Sequence, residues 1–62
     1  MKQLVVLDYA EGDVKIIDMS PALVTKYAND YDEYVYGVLD FNTSNTNYMI
    51  VDGNVKINKN PL

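Results

Sequence analysis

The residues best placed to do chemistry are Asp40-x-Asn42-x-Ser44, which offer oxygen ligands at the alternating spacing that opens a calcium loop. Such a loop also needs a glycine at its sixth position and a bidentate glutamate at its twelfth. Those places hold Asn45 and Val51, so the stretch reads as a polar linker. Asn42-Thr43-Ser44 matches a glycosylation sequon, which has force only in a secreted protein. Acid–base catalysis would fall to Asp, Glu, Lys or Tyr, because the chain has no His and no Cys. Asp30, Asp32 and Glu33 could pair as carboxylates, yet acids also gather where a helix begins, because its dipole favours them there. Ser20 is better explained as a helix cap than as a nucleophile. No glycine-rich phosphate cradle occurs. The expectation is a non-enzyme with no catalytic, metal or cofactor-binding residue.

Composition narrows the field further. Sixty-two residues make one small domain, residues 1–62, which buries only about 60% of the surface its unfolded chain exposes. Without Cys or His, neither a disulfide framework nor an ordinary zinc site can reinforce it. Apolar residues at 48% and six tyrosines are enough for a packed core. The net charge is −4, and arginine, the residue that grips phosphates and guanine edges bidentately, is absent. The five lysines are scattered, so direct nucleic-acid binding is not expected. The first apolar run, Leu4 to Leu7, is cut by Asp8 and falls short of a secretory or membrane segment. The expected location is the cytoplasm, away from any membrane.

The elements that must position any site follow from patterning. Leu4-Val5-Val6-Leu7 reads as a strand, Ala10-Glu11-Gly12-Asp13 as a turn, and Val14 to Met19 as the returning strand. Ser20-Pro21 then marks a helix start: a capping hydroxyl followed by a residue with preset φ. Apolar residues at Leu23, Val24, Tyr27, Ala28, Tyr31, Tyr34, Val35, Val38 and Leu39 form one helical stripe. That predicts a helix from Pro21 to about Leu39, kinked near Asn29, with Asp30 and Glu33 placed as a second capping box. The alternative is a strand from Glu33 to Leu39, since Tyr and Val favour sheets. Tyr48 to Val51 is a third strand, and Asp52-Gly53 is a strong hairpin signal leading to a fourth, Asn54 to Asn58. The strings EGDVKII and DGNVKIN are thus the same piece of turn and strand used twice. The predicted fold is α+β: a four-stranded antiparallel ββαββ sheet with one helix on one face.

That arrangement makes the sheet apolar on both sides. With Val5, Leu7, Val14, Ile16, Val55 and Ile57 turned to the helix, Leu4, Val6, Ile17 and Met19 would face away. An exposed apolar patch of that kind usually marks a protein contact. Tyr27, Tyr31 and Tyr34 lie on the helical stripe and read as core. Tyr36 falls off it, and Tyr48 alternates on the third strand; tyrosine is enriched at interfaces. The interface candidates are therefore Leu4, Val6, Ile17, Met19, Tyr36 and Tyr48.

The strings MKQLVVLDY, VKII and YMIVDGNVKIN resemble short uncharacterised proteins of gut bacteria and their phages or mobile elements. The resemblance implies a small cytoplasmic protein with no catalytic residues to carry over. Two functions are then in contention. The first is a protein–protein interaction module that pairs with itself as a homodimer through its sheet. The alternative is a phage-type acidic inhibitor, a decoy of a basic nucleic-acid-handling protein, using Asp8, Glu11, Asp13, Asp18, Asp30, Asp32, Glu33 and Asp40.

Overall fold

A computed structural model describes residues 1–61. Strand β1 (Lys2–Asp8) is followed by β2 (Asp13–Met19), helix α1 (Pro21–Tyr27), a π-helical segment α2 (Glu33–Val38) and strand β3 (Thr46–Asp52). The sheet is antiparallel in the order β2-β1-β3, with β1 in the middle.

The β1–β2 hairpin closes through Asp8. Its carboxylate accepts the N–H groups of Ala10 and Glu11, each at 3.1 Å, while its carbonyl accepts the Gly12 N–H at 2.8 Å. Gly12 has φ +67°, a conformation that glycine adopts without a Cβ clash. The first helix starts as its sequence predicts, with Ser20 Oγ accepting the Leu23 N–H and Pro21 at the first position.

The expected long helix is instead two short pieces. α1 ends at Tyr27, and the Asp30 N–H bonds to the Tyr27 carbonyl in a tight turn. The Asp30 carboxylate then accepts the Glu33 N–H at 3.3 Å, one half of the predicted capping box. Beyond it the backbone widens, and the Leu39 N–H bonds to the Tyr34 carbonyl five residues earlier. The wider turn keeps Tyr34 and Val35 buried and Leu39 half-buried, whereas Val38 is left exposed. The segment is helical and not the alternative strand. It stops at Asp40, which sits at φ 61° in the position a helix usually gives to glycine.

The sheet has three strands, which corrects the four-stranded expectation. Asp52 is held in β3 opposite Lys2, whose ammonium is bonded to its carboxylate. The Gly53 N–H goes on to the Met1 carbonyl at 2.7 Å, so pairing with the chain start extends to Gly53 itself. A type I′ turn needs φ > 0 at both of its central residues. Only Gly53 meets that, since Asp40 is the one non-glycine with positive φ among the described residues. Residues 54–61 therefore form no fourth strand. The Cα radius of gyration, 12.4 Å, exceeds the roughly 10.6 Å of a compact chain this long.

The core is Leu4, Val6, Met19, Tyr27, Tyr34 and Val35, all on the helix side of the sheet. Ile17 of β2 and Tyr48 and Ile50 of β3 pack against it, with Leu23, Val24 and Phe41 from the rest of the chain.

Candidate functional site

The face of the sheet turned away from the helices is set by period-2 alternation and strand register. Val5 stands opposite Ile16 on one side and Met49 on the other, and Leu7 stands opposite Val14 and Asn47. Gln3 lies between Asp18 and Val51 in the next row of that face. Six apolar side chains thus share one side, and no helix covers them. Leu7 is 39% exposed, Ile16 42%, Val14 49% and Met49 52%, a concentration of apolar surface in the middle and at the hairpin end. Val5 at the centre is 3% exposed.

This assignment inverts the expected one. Leu4, Val6 and Met19 have no exposed surface and Ile17 is half-buried in the core, so these four are not available to a partner. Val5, Leu7, Val14 and Ile16, expected beneath the helix, are the open set. Val55 and Ile57 are in no strand at all. One sequence signal for the true face was present. Met19 immediately precedes the Ser20 cap and Val24 is the fourth helical residue, the two positions of a hydrophobic staple. Val24 packs on the cluster that contains Met19, which forces Met19, Ile17 and Lys15 to the helix side.

The two tyrosine candidates also belong to the covered side. Tyr36 and Tyr48 meet edge to face with ring centroids 5.9 Å apart, and both are half-buried. The Tyr48 hydroxyl donates to the Asp32 carboxylate. Burial first, then this bond, pushes the phenol above its ordinary pKa. The pair ties α2 to β3.

One cluster of charged residues gathers at the β1–β2 hairpin. The Lys15 ammonium donates to Asp13 and Glu11 at 3.0 Å and to Asp8 at 3.3 Å. Those three carboxylates lie close enough to hold a metal ion, but a lysine ammonium occupies the space among them. The Asp13 and Glu11 carboxylates raise the Lys15 pKa. The Asp8 carboxyl is held below its usual range, first by the Glu11 N–H and also by Lys15. The cleft beside this group, about 320 Å³, reaches the linker at Asp40 and Asn42. Asn42 is spent on its own turn: its side chain accepts the Ser44 N–H, and its carbonyl accepts the Asn45 N–H and the Thr46 hydroxyl. A second cleft of about 300 Å³ lies between the chain start and α1, beside the Lys2–Asp52 pair. No helix among the described residues is long and apolar enough to cross a membrane.

No family model, curated protein or solved structure matches the chain. The resemblance to gut-bacterial and phage proteins therefore rests on the residue strings alone.

Proposed function

We propose that this chain is a non-enzymatic interaction module that pairs with a second copy of itself through the open face of its sheet. The supporting observation is the row of Leu7, Val14, Ile16 and Met49, exposed around Val5 on a face that no helix covers. An antiparallel sheet with a solvated face ordinarily carries polar residues there. The only formal charge among the nine paired residues of that face is Asp18. Two copies of an acidic protein can bring such a surface together without stacking like charges at its centre. A twofold contact needs one self-complementary patch, and an apolar face with a single charge at one end suits that need.

Size sets the strength. Three strands about 4.8 Å apart and seven residues of about 3.3 Å make a face of about 14 by 23 Å. That is small beside the ~800 Å² per partner of a standard stable interface. The pairing should accordingly be weak, with a Kd of roughly 0.1–1 mM.

The acidic-decoy alternative has less support. Asp8, Glu11 and Asp13 share the single positive charge of Lys15, Asp52 is paired with Lys2, and Asp18 and Asp32 accept from Gln3 and Tyr48. A reducing cytoplasm suits a chain with no cysteine.

Chemical-shift changes on dilution from millimolar concentration test the proposal. Shifts centred on Leu7, Val14, Ile16 and Met49 would support it. Shifts confined to α1 and α2, or none at all, would overturn it.

A further inference from the structure

We infer that the segment after Gly53 is a strap across one end of the open sheet face, and that it holds the chain's self-association in check. The inference rests on the self-association proposed above and concerns its regulation. The first observation is a bond: the Val55 N–H donates to Gln3 Oε1 at 2.8 Å. Gln3 belongs to the open face, where its Nε2 donates to Asp18 at 2.8 Å. Gln3 thus spans from β2 to the tail and draws Val55 over the end of the sheet opposite the hairpin. The second observation is the pattern of exposure along β3. Met49 and Val51 share the open face, yet Met49 is exposed and Val51, beside Gln3, is half-buried. Val55 is itself half-buried, whereas Ile57 two residues on is exposed.

Charge favours the same docking. Up to Gly53 the chain has nine acids against three lysines, a net −6; after it come Lys56, Lys59 and no acid, a net +2, which together give −4. A cationic tail is attracted to an anionic body, and exposed lysines feel that field over about 8–10 Å at ordinary salt. Gly53 has φ +79°, and two residues on the bond to Gln3 places Val55 at the face instead of along the edge of β3. A second copy that stacks on the face meets this strap at the Gln3–Val51 end, so each copy must release it first.

One hydrogen bond of average net strength shifts such a local equilibrium roughly fivefold. Because both copies must open, removing the bond should tighten the dimer by roughly 25-fold. Val55→Pro in the full chain removes the N–H donor and leaves the tail and the core in place. Two readouts separate the possibilities. The first is the accessibility of the Val5 and Val51 methyls to a soluble paramagnetic probe at micromolar concentration, where the chain is monomeric. The second is the dimer Kd by sedimentation, with Ile16→Glu run alongside. The expected result is higher Val51 accessibility together with tighter association. Unchanged accessibility overturns the strap whatever the association does. Raised accessibility with unchanged association that Ile16→Glu abolishes overturns only the restraint. Raised accessibility with no association in any variant overturns the restraint through the failure of self-association itself.

Discussion

The Lys2 ammonium is bonded to the Asp52 carboxylate, joining the first residue of β1 to the last residue of β3. The bond raises the Lys2 pKa and lowers that of Asp52, as expected for a pair that prefers to stay charged. Asp52 itself lies extended in β3, paired with Lys2 across the sheet. Asp52→Asn removes the charge and creates an Asn-Gly pair, the strongest type I′ signal. Extended chemical shifts from 55 to 57, with new contacts to β3, are the expected result. Unaltered shifts in that segment would mean that the ion pair is not what excludes a fourth strand.

Tyr48→Phe deletes the hydroxyl that reaches Asp32 and retains the ring that packs on Tyr36. A hydrogen bond to a charged group is worth about 1.5–3 kcal/mol net, and the exposed carboxylate puts this one at the low end. A fall in melting temperature of about 6–12 °C follows for a domain of this size. The alkaline absorbance titration should also lose a tyrosine that ionises above the ordinary value of about 10. Equal titration curves for the two proteins would contradict the assignment.

Asp8 sets the acid limit of the hairpin. Its folded pKa lies below the unfolded value of about 3.9, so its contribution is present above that pH and is lost as pH falls through the folded value. Asp8→Asn retains an acceptor for the Ala10 and Glu11 N–H groups but removes the charge facing Lys15. The variant should be less stable at neutral pH and lose less than the parent between pH 5 and pH 2. Parallel stability curves for the two would rule out Asp8 as a source of the acid sensitivity.

Asp40 is the strained point of the backbone. Glycine at φ 61° carries no Cβ clash, and Asp40→Gly should raise stability by about 0.5 kcal/mol, whereas Asp40→Val should lower it by about 1–2 kcal/mol. Urea denaturation of the three proteins orders them, and a destabilised glycine variant would show that the Asp40 side chain contributes more than its backbone strain costs.

Much of this fold is legible in the residues. Ser20-Pro21 marks the helix start, Gly12 the first turn, and Asn29-Asp30 the break between the helical pieces, because each is dictated by local backbone chemistry. The identity of the buried face is not local. When both alternating sets of β1 and β2 are apolar, period 2 assigns the two sets without saying which lies under the helix. Only the Met19–Val24 staple breaks that tie. The fourth strand fails for a similar reason. Asp52-Gly53 has ideal hairpin chemistry, but Asp52 is paired across the sheet with Lys2, fifty residues away.

The claim that the open face carries the function is tested most directly by sedimentation equilibrium from about 0.05 to 2 mM on the parent, Ile16→Glu and Val6→Asp. Ile16 is 42% exposed at the middle of the open face, so a glutamate there should leave the melting temperature nearly unchanged and abolish the dimer. Val6 has no exposed surface, so an aspartate there should unfold the chain by burying a charge without a partner. A folded Ile16→Glu protein that associates as the parent does, or a parent that stays monomeric throughout, would contradict the account.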